Sequence, residues 1–169
     1  MLFVLLGPSG SGKTTQAEKL AELPGFHKII TATTRPKRAG EVDGRDYYFL
    51  SDELYDEKLN RGELLAPTKI HGAHYGIPKE DLVSLAQSKN RHGVVVLDDR
   101  GAKKLQALGA VTIALTLPEK ERHRRLDLRR EKGRFRREIM VFSADYNLSS
   151  EGTIEEVFRS IRSCVEKHL

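Results

Sequence analysis

Nine residues near the start of the sequence, GPSGSGKTT at 7–15, have the composition and spacing of a polyphosphate-binding loop. The pattern Gly-x4-Gly-Lys-Thr follows the apolar run LFVLL and precedes a stretch with helical periodicity, which is the context this loop requires. Glycines let the backbone turn tightly and aim N–H groups at phosphate oxygens, and the start of the helix adds partial positive charge. We call residues 7–15 the phosphate-binding loop.

The side chains of this loop have distinct expected roles. Lys13 supplies a mobile positive charge for the β- and γ-phosphates, and the Thr14 hydroxyl is a ligand for Mg²⁺. The main-chain N–H groups surround the phosphate oxygens. The residues predicted to bind the polyphosphate are Gly7, Pro8, Ser9, Gly10, Ser11, Gly12, Lys13, Thr14 and Thr15.

A phosphate-binding loop alone does not say where the terminal phosphoryl group goes. GTPases also carry an Asn-Lys-x-Asp run and a switch Asp-x-x-Gly, and neither occurs here in a suitable context. Motor ATPases usually need a chain longer than 169 residues. A small kinase is therefore the favoured class.

Composition indicates a soluble globular domain, with 38% hydrophobic and 31% charged residues. No apolar run approaches the roughly 20 residues of a membrane span. The first residues lack the basic region of a signal peptide, so we expect a cytoplasmic protein without a membrane partner. The net charge of +5 favours anionic ligands.

Much of the positive charge is concentrated at residues 122–137, which contain eight arginines. These arginines could form a solvated helix face, a nucleic-acid-binding stripe, or a group that converges on phosphates. Nucleic-acid binding favours interleaved aromatic residues, and this segment offers Phe135 alone, so that role is the least favoured.

Apolar runs that alternate with helical patterns predict an α/β fold with a parallel core sheet. The runs at 2–6, 93–97 and 111–117 are typical of strands buried on both faces. Residues 33–77 differ, with short strands, turns and polar residues, and are interpreted as an insertion on the core.

Local signals predict three further elements. Lys28–Thr31 is a predicted strand, and Asp52–Asn60 is a predicted helix. A closing helix at Thr153–Lys167 should begin with a capping box formed by Thr153 and Glu156.

A second candidate anion site lies in TATTRPKRAGEVDGRDYYFL, residues 31–50. Arg35 and Arg38 flank Pro36, and two guanidinium groups in a stiff loop can clamp a phosphate dianion. Tyr47 adds a neutral hydroxyl donor.

This segment resembles the nucleoside-monophosphate-binding segment of guanylate kinases, in which Thr-Thr-Arg-x-x-Arg, Gly-Glu-x-x-Gly and Tyr-x-Phe follow at this spacing. HGAHYGIPKEDL at 71–82 resembles the family's Gly-x-x-Tyr-Gly segment. With the phosphate-binding loop, the resemblance covers most of residues 1–137. It implies transfer of a phosphoryl group from ATP to GMP, with Mg²⁺.

The resemblance also implies roles for single residues. The acceptor phosphate would be held by Arg35, Arg38, Tyr47 and Tyr75, with Thr31 nearby and Asp98 helping to hold guanine. RRLDLRR resembles the family's Arg-Leu-x-x-Arg, which assigns Arg125 and Arg129 as catalytic. The further catalytic arginine would be Arg137, or in its place Arg134 or Arg136.

The family fold that the resemblance implies has a P-loop core, an acceptor-binding insertion and a mobile lid. The core would comprise residues 1–32, 78–121 and 139–169, the insertion residues 33–77, and the lid residues 122–138. The sequence does not predict an oligomeric state.

Three positions depart from the family pattern. Ala66 stands where the family has a guanine-binding Glu, Ile77 where it has Ser or Thr, and Val96 at the first Asp of Asp-x-Asp. The loss of a polar partner costs roughly 1–3 kcal/mol of discrimination. The sequence therefore leaves open a different acceptor, such as dGMP, another nucleoside monophosphate or ribose 1,5-bisphosphate. It also leaves open a non-catalytic binding module of the guanylate-kinase-like type.

Overall fold

The computed structural model describes residues 1–128 and 142–169, which form two sheets and the helices around them. The elements in chain order are β1 (Leu2–Leu6), α1 (Lys13–Ala21), β2 (Phe26–Lys28), β3 (Ala32–Thr33), β4 (Tyr48–Phe49), α2 (Asp52–Asn60), β5 (Leu64–Ile70), β6 (Ala73–Pro78), α3 (Lys79–Ala86), β7 (His92–Val96), α4 (Asp99–Gln106), β8 (Val111–Thr116), α5 (Glu119–Leu128), β9 (Tyr146–Ser149) and α6 (Ile154–Glu166).

The larger sheet has five strands in the order β2-β7-β1-β8-β9, and every neighbouring pair is parallel. Leu5 of β1 lies opposite Val96 of β7 on one side and Ile113 of β8 on the other. Carboxyl ends of parallel strands share one edge of a sheet, which is where ligands bind in such folds. The phosphate-binding loop, which follows β1, and Asp98, which follows β7, therefore meet at this edge.

Helices cover both faces of this sheet, as apolar strands without alternation require. On one face, Phe3 and Leu5 of β1 pack with α1 and α6. On the other, Val4 and Leu6 pack with α4. The predicted α/β fold with a parallel sheet flanked by helices is confirmed.

A second sheet has the order β4-β3-β6-β5 and lies within residues 32–78. Its strands β3 and β4 are parallel, whereas β6 pairs antiparallel with both β3 and β5. This sheet coincides closely with the predicted insertion at 33–77.

The strand predicted at Lys28–Thr31 is wrong. β2 ends at Lys28 in the larger sheet, β3 begins at Ala32 in the second sheet, and the residues between them cross from one to the other. Ile29 and Thr31 are buried during this crossing, so their apolar or β-branched side chains resemble those of a strand.

Among residues 1–128 and 142–169, no helix is both long enough and apolar enough to cross a membrane.

The start of α6 has the predicted capping box. Thr153 Oγ1 accepts a hydrogen bond from the Glu156 main-chain N–H at 3.2 Å, and Glu156 Oε2 accepts one from the Thr153 N–H at 2.8 Å. The cap supports a helix that buries Val157, Ile161 and Val165 in the core.

We expect Thr153→Ala to lower the free energy of unfolding by about 1 kcal/mol, because the Glu156 main-chain N–H loses its acceptor. Denaturant unfolding followed by circular dichroism measures this change. Ser163→Ala, at an exposed position within the same helix, is the control and should stay within about 0.5 kcal/mol of the parent. Equal effects of the two substitutions would contradict the role of the cap.

Candidate functional site

The phosphate-binding loop adopts a backbone that glycine makes possible. Gly7, Gly10 and Gly12 have φ angles of 143°, 87° and 87°. A Cβ atom on Gly7 would lie 2.3 Å from the main-chain oxygen of Leu115 in β8. The loop therefore passes against β8 more closely than any side chain would allow.

The start of α1 is arranged to receive an anion. Gly12 is the N-cap residue, and no side chain caps the helix there. The first turn also contains no acidic residue, so the positive end of the helix dipole is not offset locally. N–H groups at such an end are suited to phosphate oxygens.

Lys13 and Thr14 occupy the first turn of α1, directly behind the loop. The Lys13 ammonium folds back over the loop and donates a hydrogen bond to the Pro8 main-chain oxygen at 2.8 Å. Thr14 is exposed, so its hydroxyl is accessible from solvent. This location fits a Mg²⁺ ion held largely by substrate phosphates and water, with one protein hydroxyl.

The second candidate anion site is built around an ion pair between Arg35 and Glu41. Arg35 donates from Nη1 to Glu41 Oε2 at 3.0 Å and from Nη2 to Glu41 Oε1 at 2.7 Å. The two side chains are only 13% and 19% exposed, so solvent screens the pair weakly. Arg35 Nη1 also donates to the main-chain oxygen of Pro36 at 2.7 Å, which fixes the plane of the guanidinium group.

Glu41 also organises the position of Arg38, because its Oε2 accepts a hydrogen bond from the Arg38 main-chain N–H at 2.8 Å. Desolvation opposes ionisation of Glu41, but the hydrogen bonds from Arg35 and Arg38 outweigh it and hold its pKa below the ordinary value. The Arg38 side chain is exposed. Glu41 belongs to the Gly-Glu-x-x-Gly motif, but the motif alone does not predict that its carboxylate joins both arginines.

Aromatic rings support the Arg35 guanidinium. Its central carbon lies 5.3 Å from the ring centre of Tyr47 and 5.7 Å from that of Phe49, distances typical of cation–π contacts. The rings of Tyr47 and Tyr75 lie edge to face at 6.1 Å. Burial raises the pKa of the Tyr47 hydroxyl, so at neutral pH it remains a protonated donor.

The second sheet brings these residues together from separate parts of the sequence. Arg35 follows β3, Tyr47 precedes β4, and Tyr75 lies in β6 opposite Thr33 of β3. Four of the predicted acceptor residues, Arg35, Arg38, Tyr47 and Tyr75, therefore lie on or beside this sheet.

Thr31 lies at the junction between the two sheets, and Asp98 lies at the carboxyl edge of the larger sheet. Thr31 is 6% exposed, and its main-chain oxygen accepts a hydrogen bond from the Tyr48 N–H at 2.9 Å. Asp98 is the N-cap of α4, and its Oδ1 accepts from the Gly101 N–H at 2.9 Å. Asp98 therefore caps a helix in addition to any contact that it makes with a ligand.

Ala66 and Ile77, the two positions in the insertion that depart from the family pattern, lie in apolar surroundings. Ala66 has a φ of 48° and lies where the register between β5 and β6 shifts, between Leu65 and Thr68. Ile77 is fully buried, and both residues belong to the apolar cluster that includes Leu97. These positions supply packing to the interior and no polar side chain.

Arg125, on α5, connects that helix to the segment after β9. It donates to Glu121 Oε1 and to the main-chain oxygen of Ser150, both at 2.9 Å. Hydrogen bonds from Arg124 and Arg125 lower the pKa of Glu121 to about 2. Arg129 and Arg137, together with the alternatives Arg134 and Arg136, lie outside the described residues.

Known proteins of one family resemble this chain in sequence. The family model for guanylate kinase matches residues 1–141. A guanylate kinase of Rhodopseudomonas palustris is 41% identical over 108 residues, covering 63% of this chain and 49% of the relative. One of Chlamydia trachomatis is 38% identical over 132 residues, covering 76% of this chain and 64% of the relative.

The likeness extends to the fold. The crystal structure of guanylate kinase from Anaplasma phagocytophilum superposes with a TM-score of 0.78 at 27% identity, over 99% of this chain and 85% of that one. The chain spans between about half and two thirds of the length of the two curated relatives. Since the family model matches most of the sequence and the solved structure shares the fold, this chain belongs to the guanylate kinase family.

Proposed function

We propose that this chain transfers the γ-phosphoryl group of ATP to GMP, giving ADP and GDP. The observation that carries the proposal is that one chain contains both the phosphate-binding loop and a second loop with two arginines joined by Glu41. A phosphate-binding loop suits a polyphosphate, and the loop around the Arg35–Glu41 pair suits the dianion of a monophosphate. A nucleotide hydrolase would need the first site alone.

On the donor side, the main-chain N–H groups of the phosphate-binding loop and the start of α1 hold the polyphosphate. Lys13 moves from the Pro8 oxygen, 2.8 Å away, to the β- and γ-phosphates when ATP binds. The Thr14 hydroxyl would help to hold a Mg²⁺ ion, which would supply positive charge to those phosphates.

On the acceptor side, Arg35 and Arg38 hold the monophosphate, and Tyr47 and Tyr75 donate from their hydroxyls. No general base is required, because the attacking phosphate oxygen is already an anion. The task of the protein is to position the two phosphates in line and to neutralise the charge that spreads over the transferred group. We assign Arg125, Arg129 and Arg137 to this second task.

The proposed division of the chain follows the same logic. Residues 1–32, 78–121 and 139–169 form the core that binds ATP, and residues 33–77 form the insertion that binds the acceptor. Residues 122–138 would form a lid, with Arg122 and Leu126 buried beneath the phosphate-binding loop as its fixed base. Its arginines beyond Leu128, outside the described residues, would be brought to the phosphates and would exclude water, which would otherwise compete as an acceptor.

The guanine base would be held chiefly from the side of Thr31 and Asp98, because Ala66 and Ile77 contribute apolar surface.

The decisive experiment measures ADP release from Mg·ATP with GMP, dGMP, AMP, CMP, UMP and ribose 1,5-bisphosphate, each over a range of concentrations. The proposal predicts the highest kcat/KM with GMP and the appearance of GDP. A higher kcat/KM with another acceptor would contradict the assignment of GMP, and no transfer to any of them would favour a non-catalytic binding module.

We expect Lys13→Ala to lower kcat with ATP and GMP by roughly 10²–10³-fold, because the transferred group loses a positioned positive charge. Steady-state kinetics with both substrates measures the change, and circular dichroism verifies the fold. Lys19 lies in the last turn of the same helix and pairs with Glu155. As a control, Lys19→Ala should leave kcat unchanged. Retention of full activity by the Lys13 variant would remove this lysine from the mechanism.

A second prediction concerns Glu41. We expect Glu41→Gln to raise the KM for GMP roughly 10-fold with little change in the KM for ATP, because a neutral amide cannot hold both arginines by charge-assisted hydrogen bonds. Glu63→Gln is the matched control, since it disrupts a 2.9 Å ion pair with Lys58 elsewhere in the insertion. If both variants alter the KM for GMP equally, the effect belongs to the insertion as a whole and the role of Glu41 is wrong.

A further inference from the structure

Arg122 is a buried arginine directly beneath the phosphate-binding loop. It lies on α5 and is 2% exposed, and it is the largest fully buried side chain in the described part of the chain. Its Nε donates a hydrogen bond to the main-chain oxygen of Ser9 at 3.1 Å. A guanidinium group is costly to bury, so its place under this loop calls for a functional explanation.

The stem of Arg122 also packs against the loop. A Cβ atom on Gly10 would lie 3.8 Å from Cγ of Arg122 and 3.5 Å from the side chain of Leu126. These two residues of α5 therefore form the floor on which Ser9 and Gly10 rest. A polar contact from this floor, the hydrogen bond from Arg122 Nε, is made to the main chain of the loop.

The hydrogen bond fixes the orientation of one peptide unit. In a planar trans peptide, the carbonyl and the following N–H point in opposite directions. Because the Ser9 carbonyl points at Arg122, the Gly10 N–H points away from α5. The preceding carbonyl, of Pro8, is also turned to a donor, since it accepts from the Ser11 N–H at 3.2 Å. The Pro8 oxygen also accepts from Lys13 Nζ at 2.8 Å, so both carbonyl oxygens have a donor.

We propose that Arg122 is a positioning residue for the phosphate-binding loop. It holds the Ser9–Gly10 peptide so that the Gly10 N–H faces the donor phosphates, and its positive charge beneath the loop adds to the attraction of an anion. The inference rests on the proposed function only in that it requires a nucleoside triphosphate at this loop. It requires neither an acceptor nor turnover.

A purely structural role makes a different prediction. If Arg122 served only to fill space, an apolar residue of similar reach would pack equally well and would avoid the desolvation of a cation. Such a variant would be as stable as the parent or more stable, with unchanged nucleotide affinity. Nucleotide affinity therefore separates the two roles.

The test compares Arg122→Leu and Arg122→Lys with the control Arg124→Leu. Arg124 lies on the same helix, its side chain is 64% exposed, and its described ion pair is with Glu121. Isothermal titration calorimetry measures the affinity for Mg·ATP without an acceptor. Amide hydrogen exchange of the peptide that contains residues 7–12 reports the order of the loop without any nucleotide.

We expect Arg122→Leu to bind Mg·ATP roughly 10- to 100-fold more weakly, the loss typical of one hydrogen bond to a charged group. Its loop amides should exchange faster, while its melting temperature stays unchanged or rises. Arg122→Lys should recover part of the affinity because it keeps the charge, and Arg124→Leu should match the parent in every readout.

Parent-like affinity and exchange in Arg122→Leu would overturn the proposal. If this variant does not fold, Arg122→Met undergoes the same measurements, and parent-like values there would overturn it equally. A parent protein that binds Mg·ATP but transfers nothing to GMP would contradict the proposed function and leave this inference intact. If the parent does not bind Mg·ATP, the exchange measurement decides, and unchanged exchange in the variants overturns the role of Arg122.

Discussion

The close approach of Gly7 to the main chain of β8 is the constraint on which the rest of the structure depends. Because a Cβ atom there would lie 2.3 Å from the Leu115 oxygen, the chain can turn out of β1 only with glycine at this position. That turn places the phosphate-binding loop at the carboxyl edge of the parallel sheet, with α1 rising behind it. Arg122 and Leu126 of α5 then close the space beneath the loop. Main-chain geometry thus defines the donor site before any side chain contributes.

The acceptor site follows a different physical principle. It uses side-chain charges held in place by an oppositely charged partner, with Glu41 joining the Arg35 side chain to the Arg38 main chain. The carboxylate offsets part of the positive charge, yet it holds the guanidinium plane against Tyr47. Such preorganisation lowers the entropy lost when a phosphate binds. The two sites differ in construction in a way that fits the proposed ligands, a polyphosphate with its metal at one and a single dianion at the other.

The sequence predicts best what depends on local chemistry. The phosphate-binding loop, the parallel core and the capping box at Thr153 all follow from neighbouring residues, and the structure has each element where expected. The crossing at Ile29–Thr31 was predicted as a strand because burial imposes the same apolar pattern on both. The burial of Arg122 could not be predicted, because its neighbours Arg124 and Arg125 are also arginines and only the tertiary fold distinguishes them. The joint contact of Glu41 with both arginines likewise depends on the path of the folded loop.

The proposed function requires that the two anion sites face one another within a single catalytic site. Calorimetric titration with a bisubstrate compound, in which adenosine and guanosine are joined through five phosphates, tests this requirement. One molecule should bind per chain, at least about 100-fold more tightly than ATP alone, because linkage makes the second contact intramolecular. The compound should also compete with both ATP and GMP. Affinity no greater than that of ATP, or competition with ATP alone, would show that the two sites do not act together.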